Sequence, residues 1–212
     1  MHLVEGFHDL VFPPRCLGCG AANQDLCAEC AKDLQLGDYR SRIGSVPVFS
    51  SIPYGPKVGH VLLAAKEDGV RKADDILVDA LRHSLRLSTL TCAIRPLLVP
   101  IPHSKKAIRK RGRDFVAEIT HRLSQLESLP MRHLIRHNRK VGDQTLLSAT
   151  ERRENLSGAM SVTQRRGLAC EVLLVDDLMT TGATLAEAVR TLEKTEFRVV
   201  GAVTALVALP LR

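Results

Sequence analysis

Aromatic residues are scarce in this chain. Its 212 residues include no Trp, two Tyr and five Phe, which puts aromatics at 3%. Stacking on aromatic rings normally carries much of the affinity for single-stranded nucleic acid, so a dedicated stacking platform is disfavoured. Long apolar runs are also missing. The longest, Val199 to Leu211, is interrupted by Thr204 and Pro210, falls short of a bilayer span and reads as a buried strand. Neither a Gly-x-x-x-x-Gly-Lys-Ser/Thr loop nor a Gly-x-Gly-x-x-Gly turn after a strand occurs, which removes the commonest nucleotide-binding loops. The first residues lack a basic segment followed by a long apolar one, so the expectation is a cytoplasmic protein with reduced thiols. There is no internal repeat and no low-complexity tract. What remains is a chain with 45% apolar residues and a net charge of +7, long enough for one main domain plus an appendage. The positive charge favours polyanionic partners, either diphosphate substrates or nucleic acid.

The most informative stretch runs from Cys170 to Thr184. A continuous apolar run ends in two adjacent carboxylates, Asp176 and Asp177. A hydroxyl- and glycine-rich turn follows, then a helix marked by Leu185, Ala188, Val189 and Leu192. An apolar run bounded by turn residues predicts a buried parallel strand. A strand–loop–helix junction aims backbone N–H groups and the positive end of a helix dipole at one small volume, which suits a phosphate. Gly182 lets the backbone approach a ligand closely, and Thr180, Thr181 and Thr184 add hydroxyl donors. The carboxylates beside it suit ribose hydroxyls or a hydrated magnesium ion.

At the other end, Cys16-Leu17-Gly18-Cys19 and Cys27-Ala28-Glu29-Cys30 form two Cys-x-x-Cys pairs separated by seven residues. This spacing predicts a structural zinc site of four thiolates, Cys16, Cys19, Cys27 and Cys30, in preference to disulfides or four buried thiols. So short a segment has little apolar content, and metal binding would supply most of its folding free energy, on the order of 10 kcal/mol. Cys92 and Cys170 stand alone in apolar surroundings and read as packing residues.

Residues 175 to 184, Val-Asp-Asp-Leu-Met-Thr-Thr-Gly-Ala-Thr, resemble the phosphoribosyl pyrophosphate (PRPP) motif of type I phosphoribosyltransferases. Together with the cysteine module, preceded by Phe12-Pro13-Pro14-Arg15, the chain resembles the ComF/GntX family over nearly its whole length. The likeness extends to Tyr54-Gly55, Lys66 before Gly69, Val99-Pro100-Ile101-Pro102, Arg111-Gly112, Gln144, Leu147-Ser148, Arg152 and Asn155. One departure stands out: the family usually reads Arg-Gly-Phe-Asn-Gln where this chain has Arg111-Gly112-Arg113-Asp114-Phe115. The resemblance implies an α/β, type I phosphoribosyltransferase fold, a mainly parallel sheet flanked by helices, with a small N-terminal zinc module. The division expected is residues 1–45 for the module and 46–212 for the phosphoribosyltransferase-like domain.

The resemblance also assigns roles. Asp176 and Asp177 would hold the ribose hydroxyls, and Met179, Thr180, Thr181, Gly182, Ala183 and Thr184 would wrap the 5′-phosphate. The loop after the Leu97–Ile101 strand, with His103, Ser104, Lys105, Arg109, Arg111 and Arg113, would carry the pyrophosphate. Guanidinium forks suit phosphate oxygens, although a basic run of this kind equally reads as a solvated or nucleic-acid-binding surface. Gln144, Arg152 and Asn155 would lie on a flexible loop that closes over the reacting centre. Ser148 and Glu151 have capping-box spacing, which predicts a short helix from Ala149. The implied reaction displaces pyrophosphate from PRPP with magnesium present and an unidentified acceptor. Purine-salvage relatives often carry an acid where this chain has Thr180, so hypoxanthine-guanine activity loses support. The family is also associated with natural transformation. The alternative reading is therefore a non-catalytic adaptor for single-stranded DNA, a competence helicase or recombination mediators.

Elsewhere, strands alternate with helices. Val46–Ile52 and Val61–Ala65 are expected to form a hairpin around Pro53-Tyr54-Gly55-Pro56. Ala73, Ile76, Leu77, Ala80, Leu81 and Leu85 mark one helix; Val116, Ile119, Leu123 and Leu126 mark another. Further strands are predicted at Leu97–Ile101, near Leu134, at Val172–Val175 and at Val199–Val207. This alternation implies a parallel sheet with ligands at the strands' carboxyl ends.

Overall fold

The computed structural model describes residues 13–89, 95–137, 158–163 and 170–210. Among the described residues, seven strands form two sheets: β1 (Tyr39–Ile43), β2 (Val46–Pro53), β3 (Leu97–Pro100), β4 (Ile135–His137), β5 (Met160–Val162), β6 (Glu171–Met179) and β7 (Arg198–Val207). The main sheet has the order β1-β2-β7-β6-β3, and only β1 runs antiparallel to its neighbour. A small antiparallel ribbon joins β4 to β5. The helices among the described residues are α1 (Ala28–Asp33), α2 (Pro56–Lys66), α3 (Arg71–Thr89), α4 (Lys105–Arg111), α5 (Phe115–Glu127) and α6 (Ala183–Leu192).

The sheet is covered on both faces, which explains the unbroken apolar runs in β3 and β6. Alternate residues of β6 serve opposite cores. Leu173 and Val175 join Val58, Leu62, Leu77, Leu81, Phe115 and Ile119 from α2, α3 and α5. Val172 and Leu174 join Leu185, Ala188 and Leu192 of α6, together with Val48 and Val99. The mainly parallel α/β architecture expected from the sequence is what the chain adopts.

The expected hairpin is corrected. Val61–Ala65 lies inside α2, and the antiparallel partner of β2 is β1, joined to it through Gly44-Ser45. Pro56 occupies the first turn of α2, where its missing N–H costs nothing. Val58, Val61, Leu62 and Ala65 then bury one helical face, a 3.6-residue period that overrides the local β-branched content.

The cysteine module is tied to α2 and α3. Leu17 and Leu34 pack against the first core. His60 Nδ1 donates to the Gly18 carbonyl at 2.7 Å, and Lys57 pairs with Asp33 at 3.1 Å. Lys72 pairs with Asp25.

Candidate functional site at the carboxyl end of the sheet

Strand β6 outruns its neighbour. Pro100, the last residue of β3, pairs with Val175, so Asp176 and Asp177 stand just past the point where the β3 chain leaves the sheet. From β3 the chain returns through α5 to Met131, which bridges Leu98 on the side away from β6. From β6 it moves the other way, through α6 to β7. The two carboxylates thus occupy a crevice from which the chain departs in opposite directions, the usual ligand position in a parallel sheet.

Both acids are buried, with residue exposures of 8% and 4%. Lys66, the last residue of α2, pairs through Nζ with Asp177 Oδ2. Asp176 Oδ1 accepts the Asp177 backbone N–H at 2.9 Å. Burial, then the neighbouring Asp177 charge, pushes the Asp176 carboxyl well above the usual range. Burial acts upward on Asp177 as well, but Lys66 outweighs it, with help from His103, and holds that carboxyl below its ordinary value. Sequence reasoning quoted Lys66 for the resemblance without giving it a task. Its partner is 111 residues away.

Beyond Asp177 the chain passes through Met179 and two exposed threonines into α6. Gly182 is the N-cap of this helix in the left-handed region, φ +72°. It has no side chain to close the first turn, so backbone N–H groups face outward. A Cβ there would stand 3.2 Å from Ile43 Cδ1 in addition to the backbone strain. Thr181 Oγ1 accepts the Ala183 N–H at 3.4 Å.

The loop after β3 borders the acids on the other side. Ser104 caps α4, its hydroxyl accepting the Ala107 N–H at 3.2 Å. His103 Nδ1 lies 3.3 Å from Asp114 Oδ1. The basic run then divides. Lys105 and Arg109 are exposed, with Arg109 Nε donating to the Lys105 carbonyl at 3.3 Å. Arg111 Nε donates to Glu67 Oε1 at 2.6 Å, and this bond holds the Glu67 carboxyl below its usual value. Arg113 is bound to Asp74 at 2.9 Å and Glu118 at 2.6 Å, while its guanidinium lies 5.3 Å from the Phe115 ring centroid. Both guanidinium groups are therefore engaged by carboxylates of the fold. A cavity of about 950 Å³ lined by Gly69, Asp74, Arg113, Asp114, His121 and His133 lies beside this network and does not include the acid pair.

His137, at the end of β4, was not singled out from the sequence, where an isolated histidine carries no periodic signal. Its Nε2 donates to the Pro102 carbonyl at 2.9 Å, its buried Nδ1 has no hydrogen-bond partner among the described residues, and burial lowers its pKa. Gln144, Arg152, Asn155, the capping box at Ser148 and Cys92 lie outside the described residues. Cys170 packs half-buried against the second core.

At the amino-terminal module, the sulfurs of Cys16, Cys19, Cys27 and Cys30 all lie within 4.8 Å of one another, and Cys19 and Cys27 are 3.7 Å apart. Tetrahedral zinc with Zn–S bonds of about 2.3 Å requires sulfurs roughly 3.8 Å apart, so the four thiols fit the ion. Cys27 N–H donates to Cys16 Sγ at 3.3 Å and Cys30 N–H to Cys27 Sγ at 3.4 Å. Burial pushes the Cys16 thiol up, but backbone donors, the Cys27 N–H first among them, bring it down to about 6. Gly18 is required by space, since a Cβ would fall 2.7 Å from Cys30 Sγ.

A family model described as a double zinc ribbon domain matches residues 7–41. No curated protein sequence matches the chain. Among solved structures the chain is similar to an adenine phosphoribosyltransferase at 14% identity, covering 85% of this chain and 89% of that one, with a TM-score of 0.45. It is also similar to the adenine phosphoribosyltransferase from Saccharomyces cerevisiae complexed with adenine and an imino-altritol bisphosphate, at 13% identity, the same coverages and a TM-score of 0.41. No described helix is long and apolar enough to cross a membrane.

Proposed function

We propose that the chain is a PRPP-binding, phosphoribosyltransferase-like protein of the ComF type that displaces pyrophosphate from PRPP with an acceptor yet to be identified. The observation that carries this reading is the junction at the end of β6. Two buried carboxylates stand beside a helix N-terminus whose N-cap, left-handed Gly182, has no side chain to cap it. A buried acid pair is costly unless it is ligated or paired. Here it lies next to a phosphate-sized cradle.

On this reading Asp176 and Asp177 orient the ribose hydroxyls, and residues Met179 to Thr184 hold the 5′-phosphate through backbone N–H and hydroxyl donors. His103, on the loop after β3, faces the diphosphate side. A carboxylate environment also favours the positive charge that grows on the ribosyl ring as the leaving group departs. Magnesium would supply charge neutralisation for the leaving diphosphate, and Asp176 and Asp177 are the carboxylates that would hold it. The zinc module is structural, and the site lies in a cytoplasmic protein.

The second reading, an adaptor for single-stranded DNA and competence helicase or recombination proteins, draws on the exposed Lys105, Lys106, Arg109 and Lys110 of α4. Calorimetric titration of the zinc-replete protein with PRPP and magnesium separates the two. The transferase reading predicts binding that disappears in Asp176→Asn/Asp177→Asn. Absent PRPP binding, together with salt-sensitive single-strand binding lost on Lys105→Ala/Arg109→Ala, would establish the adaptor instead.

A further inference from the structure

The cavity of about 950 Å³ beside Arg113 is not used by the site at the end of β6. It is as roomy as a pocket for a small organic ligand, about 300–1,000 Å³. Its walls come from three places: the turn into α3, the outer face of α5, and the segment at Met131 and His133 that follows α5. The carboxylates in those walls are already engaged. Arg113 holds Asp74 at 2.9 Å and Glu118 at 2.6 Å, and Asp114 faces His103 at 3.3 Å. Arg122 is paired in turn with Asp75. The other basic side chains of the lining, Arg71, His121 and His133, are exposed, and none of the three forms an ion pair or hydrogen bond among the described residues. Ala117 and Met131 supply apolar surface, and Met131 packs against the first core.

Three uncommitted donors around acids that are all engaged favour an anion. They stand on three separate elements, which suits the diverging oxygens of a phosphate; a carboxylate is flat and is met best by a single guanidinium fork. A bare phosphate would leave most of the cavity and its apolar surface uncovered. A ring carried by the phosphate would cover that surface, and a methionine thioether is a favourable neighbour for it. We propose that this cavity is an accessory binding site for a phosphate monoester with a flat apolar body, gripped by Arg71, His121 and His133 and resting on Ala117 and Met131. The site is separate from the cradle at Gly182, because no residue from Asp176 to Thr184 lines it. It nevertheless touches neighbours of the acid pair. Arg113 Nη1 donates to the Ala65 carbonyl at 3.3 Å, one residue before Lys66, and Asp114 joins His103. An occupant therefore bears on the end of α2 and the loop after β3, the two segments whose cations act on Asp177.

Phenyl phosphate is the probe, with inorganic phosphate and benzoate as comparisons. Each is titrated into the zinc-replete protein at neutral pH and followed by NMR of the histidine rings, with His121→Gln and His133→Gln assigning the two signals. Phenyl phosphate should move both signals along one binding curve. It should bind about tenfold more tightly than inorganic phosphate, because its ring covers apolar surface, and more tightly than benzoate. Arg71→Ala should weaken it about tenfold, whereas Lys194→Ala, which removes an exposed charge beyond the end of α6, should not. His121 and His133 signals that stay in place, or an affinity at those signals that Arg71→Ala leaves unchanged, would overturn the proposal. So would inorganic phosphate or benzoate binding as tightly as phenyl phosphate. Since the readout is at His121 and His133, failure of PRPP to bind at the acid pair would not alter the result.

Discussion

Arg113 offers the sharpest test of how the fold uses its basic residues. A loop arginine following Arg109 and Arg111 invites the reading that it meets phosphate. Its side chain is instead only 17% exposed and bound to Asp74, whose side chain is 7% exposed. Arg113→Met keeps the apolar stem and removes the charge. Stranding a buried carboxylate without its partner costs about 4 kcal/mol. The half-exposed Glu118 adds little to that. Arg113 Nε is buried without a hydrogen-bond partner among the described residues, so its removal returns about 1 kcal/mol. The net loss is about 3 kcal/mol, or a fall in Tm of roughly 6–12 °C for a domain of this size. Urea unfolding at neutral pH measures it. Adding Asp74→Leu to Arg113→Met should recover most of the loss, because the uncompensated charge is then gone. A destabilisation below about 1 kcal/mol, or a variant of unchanged stability that loses affinity for PRPP, would refute the assignment and return Arg113 to the ligand.

Two further outcomes are expected. Cys27→Ser should lose the single equivalent of zinc, read by elemental analysis, and should lower Tm, because the module's anchorage on His60 and Lys57 depends on a closed metal cage; a metal-free protein with wild-type melting would rule the zinc site out. On the acid side, Glu67, Asp177 and Glu187 all have depressed carboxyl pKa values: Arg111 lowers Glu67, while Lys66 and Arg190 outweigh burial at Asp177 and Glu187. A depressed folded-state pKa gives stability that is present above the unfolded value and lost as pH falls through the folded one, so stability should decline below about pH 4.5. Glu187→Gln should be less stable than wild type at pH 7 by about 1–2 kcal/mol and should lose less between pH 5 and pH 3; equal slopes in urea titrations would contradict that pairing.

What could be read from the sequence follows from where each partner sits along the chain. Strands β3 and β6 were legible because burial on both faces gives each an unbroken apolar run, Leu97–Val99 and Val172–Val175, a signal contained within a few residues. Strand β1 was not. It is an edge strand with Arg40 and Arg42 turned outward and Tyr39, Ser41 and Ile43 only half-buried, so its pattern is that of an ordinary polar loop. The acid pair and the phosphate turn were legible for the same reason as β6, since all their parts are consecutive. Lys66 on Asp177, His137 on Pro102 and Arg113 on Asp74 were not, because each contact joins segments 35 or more residues apart. The basic run shows the consequence most clearly. From Lys105 to Arg113 the sequence presents one uniform cationic signal. Helix α4 ends at left-handed Gly112, φ +73°, and the turn sends Arg113 toward α3 while Arg111 reaches Glu67 at the end of α2. Lys105 and Arg109 remain outside. Charge type is therefore fixed by the residue, but whether that charge serves a ligand or the fold is fixed by a glycine and by carboxylates far away in sequence. In this protein Lys105 and Arg109 are exposed, whereas Arg111 and Arg113 are held by carboxylates of the fold.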